Sequence, residues 1–141
     1  MLNSWICLDA NMVVRLITDK NDERILTQWQ QWIDDGYQLA APTLLHYEVT
    51  NAIYQYQKHN VLSVEATSDA LETAKILSIQ LFGDSALHQA AIKLAMQFSL
   101  PATYDAHYLA LSKRLEAELW TADKKLVNAV KSNFPNIQLW T

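Results

Sequence analysis

Short apolar runs alternate along the chain with stretches in which apolar residues recur every three or four positions. The first run is Trp5-Ile6-Cys7-Leu8. Four consecutive apolar residues suit a strand buried on both faces. The run stops abruptly at Asp9. Asn11 to Ile17 reads as a first short helix, and the polar Asp19-Lys20-Asn21-Asp22 holds the next cap. Glu23 to Ile33 sets Ile25, Leu26, Trp29, Trp32 and Ile33 at helical spacing. Asp34-Asp35-Gly36 ends that helix, with Gly36 suited to a left-handed stop. Tyr37 to Ala41 predicts a strand closed by Pro42. Thr43 is the expected cap of a helix running to about Lys58, with Leu45, Val49, Ala52, Ile53 and Tyr56 as its apolar stripe. His59-Asn60 stops it.

The second half continues the alternation. Ser63 caps a helix to about Leu77, with Glu65 favoured in its first turn by the helix dipole. Ile79 to Phe82 is a brief extended piece, and Gly83-Asp84 opens a helix from Ser85 to Phe98. These two middle helices carry no clustered polar chemistry and read as packing or as a partner surface. Thr103 is the expected cap of a helix to about Leu115, which puts Asp105 in its first turn. Glu118 to Thr121 predicts a strand, Asp123 to Val130 a short helix, and Ile137 to Trp140 a last strand.

Strands alternating with helices point to a mainly parallel sheet wrapped by helices. Right-handed crossovers bring successive strand ends to one edge, and ligands of open α/β sheets collect at the carboxyl ends of strands. Asp9, Asp105 and Asp123 are expected on that edge. Glu48, at the margin of its apolar stripe, reaches it from the start of its helix. Any one of these acids alone is an ordinary cap or dipole partner. As a set, they repel one another and raise each other's pKa unless cations neutralise them. Oxygen-only ligands suit Mg²⁺ or Mn²⁺ better than zinc. No His and Cys cluster has zinc-like spacing, and there is no His-Glu-x-x-His. Such a site suits phosphodiester hydrolysis, because a bound metal polarises a phosphoryl oxygen and lowers the pKa of a bound water.

Composition narrows the class. The 141 residues fit one domain over 1–141. Two glycines and three prolines argue for helices and short turns over a β-sandwich. Cys7, the one cysteine, lies inside the first apolar run and reads as a small core residue, with no disulfide possible within the chain. A net charge of -4 speaks against a protein that coats nucleic acid by bulk positive charge, while leaving room for a nuclease. No apolar stretch approaches membrane-spanning length and no secretory signal opens the chain, so the expected home is the cytoplasm, away from membranes.

Among the cations, Arg15, Lys113, Arg114, Lys124 and Lys125 are candidates to meet phosphate. Lys124 and Lys125 stand out because they adjoin Asp123; a solvated surface is still the commoner role for most of the five. His46 and His107 each lie two residues from a candidate acid, on a different helix face. Packing or hydrogen bonding suits both better than a general-base role. Trp29, Trp32, Trp120 and Trp140 are read as core or oligomer surface.

Four pieces of the chain, in order, carry a family resemblance. They are Cys7-Leu8-Asp9-Ala10-Asn11, Thr43-Leu44-Leu45-His46-Tyr47-Glu48-Val49-Thr50-Asn51-Ala52, Tyr104-Asp105-Ala106-His107-Tyr108-Leu109-Ala110-Leu111 and Leu119-Trp120-Thr121-Ala122-Asp123-Lys124-Lys125-Leu126. Each is a weak signal alone, but the ordered set is a strong one. The chain resembles PIN-domain proteins, most closely the VapC-like ribonuclease toxins of toxin–antitoxin pairs. The resemblance implies a three-layer α/β/α sandwich with a five-stranded parallel sheet and Mg²⁺-dependent cleavage of RNA. It implies that Asp9, Glu48 and Asp105 are the core metal-binding acids and Asp123 a fourth, more variable one. Asn11 and Thr121 match nearby polar positions that orient water or ligands. It further implies an antitoxin partner and a homodimer. The competing expectation is a non-catalytic PIN-like module that binds RNA or a protein. A phosphatase or phosphoryl-transfer domain ranks below both, because the chain lacks an Asp-x-Asp pair and a Gly-rich phosphate loop.

Overall fold

The computed structural model describes residues 4–141. Five strands, β1 (Trp5–Leu8), β2 (Gln38–Pro42), β3 (Ile79–Phe82), β4 (Glu118–Thr121) and β5 (Ile137–Leu139), form one sheet in the order β3-β2-β1-β4-β5. Every neighbouring pair is parallel. Seven helices connect them among the described residues: α1 (Ala10–Thr18), α2 (Glu23–Asp34), α3 (Leu45–Lys58), α4 (Val64–Ile76), α5 (Ser85–Gln97), α6 (Tyr104–Leu115) and α7 (Lys124–Val130). The fold is the expected α/β class, with the sheet parallel throughout.

The strand order explains the apolar runs. β1 is central, with Cys7 opposite Ala40 of β2 and Leu119 of β4. Helices α1, α3 and α4 pack on one another, and α5 packs on α6, which lies against β1, β2 and β4. Ile6, Cys7, Leu8, Leu39, Ala40, Ala41 and Leu119 are therefore buried. Burial pushes the Cys7 thiol up to about 12, in keeping with a core residue.

Caps set most helix starts. Asp22, Ser63 and Asp84 each accept a backbone N–H of the following turn. Gly36 takes φ 85° after α2, and Asn60 takes φ 61° after α3. Two expected caps are not caps. Helix α3 begins at Leu45 after Leu44, with no side-chain cap. The Thr43 side chain instead lies against Gly83, where an added Cβ would fall 2.6 Å from Thr43 Oγ1. Thr103 holds the position before α6 but its side chain caps nothing. Its carbonyl takes both the His107 backbone N–H, at 3.1 Å, and the His107 ring Nδ1, at 2.6 Å.

Other boundaries shift by a residue. The first helix starts at Ala10, because Asp9 caps it; the last strand stops at Leu139. The second strand runs from Gln38 through Pro42, which faces Phe82 of β3. The apolar stripes are narrower than expected. Ile25, Trp29 and Trp32 of α2 are buried, while Leu26 and Ile33 are each 46% exposed. Trp32 packs on Trp120, and Trp120 on Trp140, so the tryptophans fill an edge of the core.

The middle helices differ from expectation in one respect. Their α5 contributes polar chemistry to its seam with α6. Arg114 donates to both carboxylate oxygens of Asp84, at 2.6 and 2.9 Å. His88 Nδ1 stands 2.8 Å from His107 Nε2. Since the Thr103 carbonyl can only accept, His107 donates through Nδ1, and neutral His107 then accepts from His88. Among the described residues no helix is long and apolar enough to cross a membrane.

Candidate active site

In a sheet of this order the strand order reverses between β1 and β4, with the strands still parallel, and that is where such folds open a crevice. Asp9 follows β1 directly, and its backbone N–H donates to the Trp120 carbonyl at 3.0 Å. The apolar strand continues into a helix without a turn residue, so the carboxylate is caught at the junction. Asp9 is 5% exposed. Its Oδ1 accepts the Ala10 backbone N–H at 2.8 Å. Its Oδ2 accepts the Thr121 hydroxyl at 2.7 Å and the Asn11 amide at 3.3 Å.

Thr121 and Asn11 knit the two loops together. Thr121 ends β4 and is fully buried. Its Oγ1 accepts the Asp123 backbone N–H at 3.0 Å and the Asn11 amide at 3.1 Å. Asn11 Oδ1 accepts the Ala122 backbone N–H at 3.0 Å. Asp123 in turn caps α7, accepting the Leu126 N–H at 3.2 Å. Thr121 and Asp123 thus serve two jobs: a hydroxyl for the neighbouring loop and a carboxylate for the next helix.

Glu48 and Asp105 come from helices on separate parts of the chain. Glu48 sits in the first turn of α3, and its Oε1 accepts the Tyr108 hydroxyl at 2.7 Å. Asp105 lies in the first turn of α6, three residues before Tyr108 and so on the same helix face. Among the described residues no hydrogen bond reaches the Asp105 carboxylate.

Asp9, Glu48, Asp105 and Asp123 all line one cleft of about 760 Å³, together with Asn11 and Arg15. Val14, Ala52, Tyr56 and Leu62 give it an apolar wall. The charges feel one another. Burial pushes Asp9 up to about 7 against the Thr121 hydrogen bond, and the charges of Asp105 and Glu48 add to the rise. Burial raises Glu48, with Asp105 adding to it and the Tyr108 bond opposing it. Burial and the nearby charge of Asp123 raise Asp105. Tyr108 is held far above the usual phenol range, by burial first and then by Glu48.

Arg15 is the one candidate phosphate contact in the cleft lining; Lys124 and Lys125 are exposed at the start of α7, outside it. Arg114 is tied to Asp84, whose two carboxylate oxygens occupy its guanidinium fork. Lys113 borders a separate hollow between α5, α6 and the segment around Phe134. His46 is exposed and turns toward α4, away from the acids. The residue that sequence reasoning passed over is Tyr108. Its signal was present: a tyrosine one turn after Asp105 on an otherwise apolar helix face needs a partner for its hydroxyl.

The donor set is one of oxygens, the chemistry of a hard divalent cation. A buried acid with other acids around it is also what such a cation would neutralise. In the present side-chain arrangement, however, no three of the described His, Cys, Asp or Glu residues stand close enough to grip one ion together. The fit is therefore in chemistry and in convergence on one cleft.

Solved structures that share the fold include the following three. A protein from Pyrobaculum aerophilum, PAE2754, is 22% identical, with a TM-score of 0.69 over 96% of this chain and 84% of that one. A toxin-antitoxin complex from Klebsiella pneumoniae is similar at 17% identity and TM-score 0.67, over 94% of this chain and 95% of that chain. VapBC2 from Rickettsia felis, solved bound to a DNA fragment from its promoter, matches at 12% identity and TM-score 0.71, over 97% and 99% of the two chains. At these identities the likeness is one of fold. No curated protein matches the chain. The PIN domain pattern matches residues 7–138, which hold all four acids of the cleft and all of the sheet but Trp5, Ile6 and Leu139. The chain belongs to the PIN domain family.

Proposed function

We propose that this protein is a divalent-metal-dependent endoribonuclease, with Asp9, Glu48, Asp105 and Asp123 holding Mg²⁺ or Mn²⁺. The observation that carries the reading is the convergence of these acids, from four separate segments, on one cleft beside the point where strand order reverses. When bound, the metal supplies charge for the phosphoryl oxygens and lowers the pKa of an attacking water.

The chain's own residues do the positioning. Thr121, Asn11 and the Ala10 backbone fix both oxygens of Asp9. Arg15, one turn beyond Asn11 on α1, offers a fixed cation to the RNA backbone. The wall of Val14, Ala52, Tyr56 and Leu62 limits water on that side of the cleft. Lys124 and Lys125, outside the lining, serve at most the flanking strand in this reading.

The family supports hydrolysis, since PIN domains are generally nucleases. The toxin role rests on the similar fold of the Klebsiella pneumoniae toxin-antitoxin complex. In this reading the whole chain is a single domain, two copies pair, and an antitoxin protein covers the cleft in the cytoplasm. Cleavage of total RNA with and without Mg²⁺, with Asp9→Asn as control, tests the activity. Equal cleavage by wild type and Asp9→Asn, or cleavage untouched by exhaustive chelation, overturns it.

The second reading is a PIN-like module that binds RNA or protein without cutting. It is favoured by the absence, among the described residues, of three metal-ligating side chains already at a common ion's distance. RNA binding with no Mn²⁺ binding by calorimetry would decide for it.

A further inference from the structure

Tyr108 is among the largest fully buried side chains of the protein, yet its hydroxyl bonds an acid that lines the cleft. A buried phenol needs one hydrogen-bond partner, and many backbone carbonyls would serve. Here the partner is Glu48, 60 residues earlier in the chain. The bond ties α6 to α3, the two helices that deliver Asp105 and Glu48. It also uses only one oxygen of the Glu48 carboxylate. Oε1 is engaged at 2.7 Å, while no hydrogen bond among the described residues takes Oε2.

The geometry assigns Tyr108 as a positioning residue: its hydroxyl fixes Glu48 Oε1 and so presents Oε2 to a divalent cation shared with Asp9 and Asp105. The assignment rests on the proposed metal site and deepens it. A glutamate has three side-chain torsions, and one acid that wanders costs a metal site its geometry. Asp9 is already fastened by three donors. Tyr108 fastens the second acid, so two of the three core ligands are pre-set. Asp105, one helical turn from Tyr108, is the arm left to close on the ion. Partners that orient metal ligands in this way typically affect metal affinity about 10–100-fold.

The test is Tyr108→Phe, which removes the hydroxyl and keeps the ring. Mn²⁺ binding is measured by calorimetry on wild type, Tyr108→Phe, Glu48→Gln and the double variant, with thermal melts as the check on folding. The expected result is a fall in Mn²⁺ affinity of about 10-fold or more in Tyr108→Phe, and little further fall when it is added to Glu48→Gln. RNA cleavage by Tyr108→Phe should then need more Mn²⁺ for half-activation and recover much of its kcat at saturation. Wild-type Mn²⁺ affinity in folded Tyr108→Phe overturns the assignment while leaving the nuclease reading in place. Absence of Mn²⁺ binding in wild type overturns both. If Tyr108→Phe does not fold, Glu48→Asp carries the test, because it keeps Tyr108 in the core and draws the carboxylate back by one methylene. Unchanged Mn²⁺ affinity there overturns the assignment, and a loss of about 10-fold supports it.

Discussion

Thr121 lies 112 positions after Asp9, and its hydroxyl donates to Asp9 Oδ2 at 2.7 Å. The bond joins the ends of two adjacent parallel strands. It gives the most buried acid of the cleft a partner that no local sequence pattern supplies. Thr121→Val keeps the shape and removes the donor. It should destabilise the fold by about 1–3 kcal/mol, as expected when a buried acceptor loses its bond. Urea unfolding measures this, and a variant as stable as wild type would show the bond to be idle. Cleavage should fall about 10–100-fold if Asp9 also holds metal.

Asp9 makes stability depend on pH. Its folded value of about 7 lies above the ordinary 3.8, so the folded state binds the proton more tightly than the unfolded state. The associated stability is full below the unfolded value and is lost as pH rises through about 7. The whole shift corresponds to roughly 4 kcal/mol. Metal-free Asp9→Asn should therefore melt above metal-free wild type at pH 8, with the gap closing near pH 4. An equal gap at both pH values contradicts the assignment.

Metal should stabilise the wild-type protein. A ligand at about 100 times its Kd adds about 2.7 kcal/mol when it binds only the folded state. Thermal melts with Mn²⁺ should rise for wild type and stay flat for Asp9→Asn. A chelator should reverse the rise, and a melt indifferent to Mn²⁺ counts against a metal site.

Arg15→Gln should raise KM for RNA several-fold and leave kcat near wild type, since Arg15 lines the cleft beside the acids without being one of the metal-holding groups. The salt dependence of RNA binding should become shallower by about one phosphate contact. A change confined to kcat would place Arg15 in the chemistry and not in binding.

Arg114→Gln, by contrast, should leave RNA affinity unchanged, because the Arg114 guanidinium already pairs with both oxygens of Asp84. That pairing holds the Asp84 carboxyl below the usual carboxylate range. Filter binding at low salt checks the prediction, and a clear loss of RNA affinity would return Arg114 to the interface.

The sequence by itself determined the elements and the kind of chemistry. Apolar runs and helical periodicity are set by neighbours a few residues apart, so the five strands and the helices between them were legible. So were the cap at Ser63, the stretches that hold the caps Asp22 and Asp84, and the placing of Asp9, Glu48, Asp105 and Asp123 near strand or helix ends. Only the tertiary structure decided which polar groups meet. Thr43 lost its capping role to the close approach of Gly83 from the next strand connection. Arg114 was claimed by Asp84 on the facing helix, and Arg15 alone among the candidate cations entered the cleft. Tyr108 found Glu48, and Thr121 found Asp9. These pairings depend on strand order and helix crossing, which fix distances between residues tens of positions apart and leave no trace in local spacing.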